Sequence, residues 1–314
     1  MLKLKVLGVA AALIMTTSFC FAGCSFNLFS HMNYTYDHGD NYTAGDREID
    51  DEITKISIDY VSGTVTLKGE DTDEISITET ANVDLTEDQK VHTWVDGSTL
   101  YIKFCASSKN LNFNGVDKKL EITVPEDRKL DDLTADLSSG SFTCSGIETD
   151  VLYADITSGG IDATVQARDI TLDATSGTII LNQSGRSDSI TIETTSGKIT
   201  ADIEEAESLN LDITSGSINV DADRILSVSS ESTSGNSEFK FDTVPDRCEI
   251  DATSGDVKVF LHEDADVTVS VDMTSGEFNY DLPFSKHDKK YVNGDGRATL
   301  LVETTSGDID ICVW

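Results

Sequence analysis

From about residue 50 onward, apolar and polar residues alternate with a period of two, and Ser-Gly punctuates the alternation, most often as Thr-Ser-Gly. The glycines fall at Gly63, Gly140, Gly159, Gly177, Gly197, Gly216, Gly235, Gly255, Gly276 and Gly307, and from Gly140 to Gly276 the steps are 19, 18, 20, 19, 19, 20 and 21 residues. Seven residues before each glycine stands an apolar residue, from Ile56 and Leu133 to Val269 and Leu300. Five before it, nine of ten are apolar, Ser230 being the exception; two after it the exception is Ser237. Four after it come Leu67, Cys144, Ala163, Leu181, Ala201, Val220, Phe239, Val259, Tyr280 and Ile311. Alternation on both sides of a turn defines two short, half-buried strands per unit, and helical spacing does not fit.

A unit this short cannot bury its apolar stripe alone, so neighbours must stack. The expected fold is all-β: a repetitive β-solenoid (parallel β-helix-like) with repeats of about 19–20 residues and an irregular β N-terminal cap. Coils rising about 4.8 Å each would make a rod on the order of 40 Å. An up-and-down meander of hairpins gives the same strand parity and stays open on parity alone. Identical turns at one repeated position favour the solenoid, where like residues stack in register.

The pattern divides the chain into four parts: 1–23, 24–47, 48–130 and 131–314. Residues 131–314 carry the repeat. Residues 48–130 break the period but keep strand patterns such as Ile75-Ser-Ile, Leu100-Tyr-Ile-Lys-Phe and Leu120-Glu-Ile-Thr-Val-Pro125, and are expected to cap the sheets. Residues 281–299, with Pro283, Lys286, Lys289, Lys290 and Asn293-Gly-Asp-Gly, are expected as a protruding loop.

At the start, Lys3 and Lys5 precede an apolar run from Val6 to Ala22, short of the 20 or so residues a membrane span needs. The run ends in Phe21-Ala22-Gly23-Cys24, and small residues before a cleavage point mark a signal peptide. Cys24 directly after Ala-Gly resembles the lipobox of bacterial lipoproteins. That resemblance implies cleavage after Gly23 and a diacylglycerol on Cys24, with a plain secretory signal or an uncleaved anchor helix as alternatives. The expected location is the cell membrane or outer membrane, lipid-anchored and facing outside the cytoplasm. Residues 24–47, rich in Asn, Tyr, Asp and Gly, read as a tether.

Charge sharpens this picture. The 314 residues hold 57 Asp+Glu against 23 Lys+Arg, a formal net charge of −34. That excludes nucleic acid as a natural partner, since phosphates are captured with Lys and Arg. It also argues against a hold on anionic lipid by the chain's own charges, so any membrane attachment falls to the lipid. The acids are patterned. Four residues before every repeat glycine stands one: Asp59, Asp136, Asp155, Asp173, Glu193, Asp212, Glu231, Asp251, Asp272 and Glu303. Parity puts this position outward. In a solenoid it becomes a column of carboxylates about 4.8 Å apart, repelling by about 1 kcal/mol per pair in water. Threonine hydroxyls and counterions, weakly bound Ca²⁺, or a polycationic ligand are the candidate sources of compensation. No tight calcium motif of the Gly-Gly-Xaa-Gly-Xaa-Asp kind is present.

The remaining chemistry is sparse. The ten repeat serines have no repeated His to activate them and no Gly-Xaa-Ser-Xaa-Gly elbow. Cys144 and Cys248 occupy apolar slots of the repeat, Cys105 lies in a strand pattern, and no Cys-Xaa-Xaa-Cys occurs. His31 and His38, with Asp37 and Asp40, read as solvated tether residues, with contact to a metal as the alternative. No pair of carboxylates stands out for glycoside cleavage.

Several stretches together resemble a known bacterial family. They are Ile58-Asp-Tyr-Val-Ser-Gly-Thr-Val-Thr-Leu67, Gly97-Ser-Thr-Leu-Tyr-Ile102, Leu120-Glu-Ile-Thr-Val-Pro125 and the Thr-Ser-Gly-Xaa-Ile units that follow. Over residues 50–314 the chain resembles the "putative adhesin" β-strand-repeat proteins, a domain of unknown function in bacterial envelope lipoproteins. The resemblance implies a β-solenoid at the cell surface and supplies no catalytic residues or cofactor. The expected function is a non-enzymatic, lipid-anchored envelope protein that displays an acidic face to a surface or protein partner. The alternatives are a component of envelope-stress sensing and, with less support, a hydrolase of wall glycans.

Overall fold

The computed structural model describes residues 32–314, so Cys24 and the expected signal peptide lie outside the described residues. Extended backbone runs without interruption from Lys129–Ser234 through five Ser-Gly corners. Each corner joins a strand of one sheet to a strand of the next, and successive coils stack in parallel. Ser227–Ser234 pairs in parallel with Arg247–Ser254, and Ile218–Arg224 with Ser237–Thr243. The fold is therefore a β-solenoid, and the hairpin meander is excluded. Positions seven, five and three before the glycine and two and four after it point inward. In the Gly177 coil these are Ile170, Leu172, Ala174, Ile179 and Leu181, all buried. They form part of one apolar core that runs along the stack. One unit alone would leave that stripe in water at roughly 25 cal/mol per Å², so stacking is obligatory.

The corner glycines form their own column. Each has φ between +109° and +157°, a region that L side chains resist. A Cβ built on Gly177 would fall within the carbonyl oxygen of Gly159, and one on Gly159 within that of Gly140. The glycine is demanded by its conformation and by the backbone of the coil below.

Stacking order departs from chain order at both ends. The corner contacts run Gly63, Gly140, Gly159, Gly177, Gly197, Gly216, Gly235, Gly255, and then Gly307 before Gly276. The strand Ala298–Ser306 lies between Arg247–Ser254 and Val267–Ser275, parallel to both. Ile309–Val313 likewise lies between Val257–Leu261 and Phe278–Tyr280. The chain skips a rung, builds the outermost coil, and returns to fill the gap. The return runs through the segment expected as a protruding loop. It is a hairpin of Ser285–His287 and Lys290–Asn293, whose second strand pairs antiparallel with Val267–Ser275. The loop expectation is corrected accordingly: the interval is long because the chain must climb back over a rung.

At the other end, Lys55–Tyr60 and Thr64–Glu70 form a rung that lies under 132–145. Its outer neighbours are the parallel strands Thr99–Lys103 and Lys118–Pro125. Beyond them the sheets turn antiparallel through His92–Asp96 and Ile75–Ala81. They end on the short strands Thr43–Ala44 and Arg47–Ile49, a form that leaves little open edge. Part of the segment read as a tether thus belongs to the fold. Met32–Tyr34 pairs antiparallel with Lys109–Leu111, and the rings of Tyr34, Tyr36 and Tyr42 pack in series. Tyrosines in a polar segment resemble a solvated linker until the surface that receives them is known.

Candidate functional site: an acidic column on the solenoid

The acid position lies on the outer face of the strand before each corner, flanked by inward apolar residues. The parallel register brings the acids into one file. Asp59 is opposite Asp136, Glu231 opposite Asp251, Asp251 opposite Glu303 and Glu303 opposite Asp272. The corner order places Asp155, Asp173, Glu193 and Asp212 between Asp136 and Glu231. All the expected ladder residues come together, with Glu303 and Asp272 exchanged relative to the chain. Lys103 closes the head of the file. It pairs in register with Asp59, and its ammonium lies 3.0 Å from that carboxylate.

The electrostatics follow from the spacing. Asp136 is raised above the ordinary carboxylate range by burial and by the Asp59 and Asp155 carboxylates, with Lys103 opposing. Burial and then Asp173 raise Asp155, while the Tyr153 hydroxyl lowers it. Burial and then Glu193 raise Asp173. At these three rungs, burial first and then a neighbouring carboxylate hold the proton more tightly. A shallow groove of about 220 Å³ runs beside the file, lined by Thr191, Asn210 and Ser229 with Glu193, Asp212 and Glu231.

As a ligand set the file is thin. Among the described residues, no three His, Cys, Asp or Glu side chains group as a metal site. Calcium takes six to eight oxygens, whereas a single file offers an ion one carboxylate from each of two rungs. Cys105, Cys144 and Cys248 are buried free thiols, and Cys312 is a partly buried one. Burial pushes the Cys105 and Cys144 thiols up to about 12, which makes them poor nucleophiles.

Three features escape the repeat pattern. A second acidic field lies after the corners, where burial and then the carboxylates of Asp242, Asp202, Asp221 and Glu204 raise Asp223. Lys240 interrupts it, binding Asp221 at 2.9 Å and lying over the Trp314 ring. After the corners at the far end, side chains stitch successive rungs. Asn236 accepts from the Asp256 amide, Asp256 from Asp308 and Asp308 from Glu277, at 2.8–3.1 Å. In the cap, Lys118 is 1% exposed, and its ammonium meets the Glu79 carboxylate at 2.7 Å and donates to the carbonyls of Gln89 and Phe104. Tyr60 and the Val91 amide also donate to Glu79, at 2.8 Å each. Two of the three had a sequence signal: Asp202 and Asp221 stand five residues after their glycines, and Asn236, Asp256, Glu277 and Asp308 one residue after theirs, whereas the Lys118–Glu79 pair had none.

Fold and file together define an acid-faced, glycine-cornered β-solenoid. The family model described as Toastrack DUF4097 matches residues 53–312, and the chain belongs to that family. No curated protein matches the chain. Among solved structures, it is similar to a "putative adhesin" of Parabacteroides distasonis at 15% identity and TM-score 0.41, over 84% of this chain and 95% of that one. It is likewise similar to a "putative adhesin" of Bacteroides fragilis at 15% identity and TM-score 0.35, over 85% and 95%. A "putative cell adhesion protein" of Clostridium sporogenes matches at 14% identity and TM-score 0.24, over 86% and 100%.

Proposed function

We propose that this protein is a non-enzymatic, lipid-anchored module of the cell envelope that engages a surface or a protein partner through its acidic column. The observation that supports this reading is the register. Ten carboxylates stand in one outward file on the stack, although like charges one rung apart repel by about 1 kcal/mol per pair in water. A fold under no demand for that charge would relieve it with neutral residues. A rod carrying one sign of charge along its length steers and holds an extended partner of opposite sign. The lipid on Cys24 would tether the rod to a membrane that its own charge avoids.

The test uses the soluble chain from residue 25 and intact cells. The parent fragment is expected to bind the cells in a salt-sensitive way. The Asp155→Asn, Asp173→Asn, Glu193→Gln triple variant is expected to lose most of that binding while melting no lower. Equal binding by the two proteins overturns the column's role. For the anchor, Cys24→Ala is expected to leave the membrane fraction; retention there overturns lipidation.

A further inference from the structure

Where the segment 36–42 crosses the segment 105–109, the two enclose an open cleft of about 610 Å³, within the range of small-ligand sites. The rings of Tyr36, His38 and Tyr42 line it, together with the carboxyl-bearing residues Asp40 and Asp88. The crossing is built rather than loose. Ser107 Oγ accepts from the Tyr36 amide at 3.1 Å and donates to the Tyr36 carbonyl at 2.9 Å, and the Tyr36 hydroxyl donates to the Cys105 carbonyl at 2.9 Å. A Cβ on Gly39 would lie 2.6 Å from that of Ser107, so the walls are in contact. Among the described residues, three that are not glycine have positive φ, and two of them, His38 at +56° and Ser108 at +58°, line this cleft. Such strain persists where surrounding structure enforces it, and it concentrates at ligand clamps.

The rings indicate the ligand class. Tyr36 and Tyr42 meet at 63°, Tyr42 and Trp94 at 57°, and His38 and Trp94 at 49°, with centroids 4.8–5.6 Å apart. Mutually inclined rings form adjacent walls of a box. Saccharide stacking would ask for one flat platform, which only the Trp94–Tyr101 pair, at 23°, begins to offer. One ring already takes a cation: the Lys103 ammonium lies 5.7 Å from the Tyr36 centroid. Lys109 also lines the cleft, but Asp40 and Asp88 outnumber it, and with a net charge of −34 the surroundings draw cations and repel anions.

We propose that this cleft binds an organic cation of the alkylammonium class, with its head held by the Tyr36, His38 and Tyr42 rings and its charge met by Asp40 and Asp88. The volume exceeds that of one ammonium head, so the head would be carried on a larger molecule. The proposal rests on the surface-interaction reading and deepens it, because the cleft adjoins Lys103 at the head of the acidic column.

The probe is choline, titrated into the described chain carrying Trp314→Phe, so that Trp94 is the one remaining tryptophan. Saturable fluorescence quenching is expected, with a Kd on the order of 1 mM, beyond the response to equal NaCl. Tyr42→Leu is expected to weaken it at least tenfold and Tyr42→Phe by less than threefold, with both variants melting as the parent does. Asp88→Asn is expected to weaken it several-fold. Choline indistinguishable from NaCl overturns the proposal, as does saturable binding of a neutral trisaccharide where choline has no effect. If choline fails while the triple column variant still loses cell binding, the cleft proposal falls and the column reading stands. If choline binds while that variant keeps its cell binding, the column reading falls alone.

Discussion

A single methyl group separates the tolerant glycines of this protein from the obligatory ones. At Gly177 the Cβ would enter the backbone of the coil below, whereas at Gly97, in a turn with φ +60°, it would meet nothing within 4 Å. Gly177→Ala is therefore expected to cost about 3 kcal/mol or more, and Gly97→Ala about 1 kcal/mol, the left-handed conformation alone. Urea denaturation of the two variants checks the contrast. The coil around Gly235 supplies a residue-scale weakness of the opposite kind. Ser230, Ser232 and Ser237 turn buried hydroxyls without partners into the core, opposite Ile250, Ala252 and Val257. Ser232→Ala is expected to stabilise the fold by about 1 kcal/mol, because an unpaired buried hydroxyl costs that much or more; the urea midpoint reports it. Ser230 and Ser237 were visible in the sequence as the two exceptions to the apolar pattern.

At the scale of the element, the acidic file couples one strand to the next. Asp136, Asp155 and Asp173 have raised pKa values in the folded chain, so the native state binds their protons more tightly than the unfolded state does. At neutral pH these groups oppose folding, and the opposition is relieved as pH falls through the raised values. The melting temperature at low salt is expected to rise when pH is lowered from 7 toward the ordinary carboxylate value near 3.8. Asp173→Asn should raise it at pH 7 and flatten that rise, and about 0.5 M NaCl should shrink the difference between variant and parent. A melting temperature that falls over that interval in both proteins would remove the repulsion argument. The file was legible in the sequence because parity and period are local rules: a residue four before each glycine must face outward on every coil. The Lys118–Glu79 pair was not legible, since a lysine beside Lys119 at a strand start reads as solvated. Its burial is decided by aromatic residues as distant in sequence as Tyr60 and Phe104, whose rings lie 5.4 Å and 4.1 Å from its ammonium.

At the scale of the molecule, the stack has two tucked ends. The register rules that revealed the solenoid count steps along the chain and assume that each coil lies on the one before it. They place Gly307 after Gly276, and no local signal reverses that order. The sign of the reversal was the interval of 31 residues between these glycines, which a simple loop insertion explains equally well. The structure makes the outermost coil an excursion, because Ala298–Ser306 and Ile309–Val313 already pair directly with the coil ending at Leu261. Excising residues 262–297 and joining 261 to 298 with a short turn is expected to leave a cooperatively folded protein, shorter by one coil and its hairpin. Circular dichroism and a single sharp melting transition check this; loss of cooperative melting would show that the excursion holds the last rung in place.

The same interleaving constrains how the protein can be made. Residues 298–313 leave the ribosome after both coils that they separate. A stack growing one rung at a time behind the emerging chain would lay 267–275 directly on 247–254, with glycine on glycine and strand on strand in an acceptable register. To reach the native arrangement, that contact must either be withheld or be opened again when the later strands arrive. Synthesis order and assembly order therefore disagree at this end, and the final closure behaves as a clasp that is fastened once the strands beyond residue 297 exist.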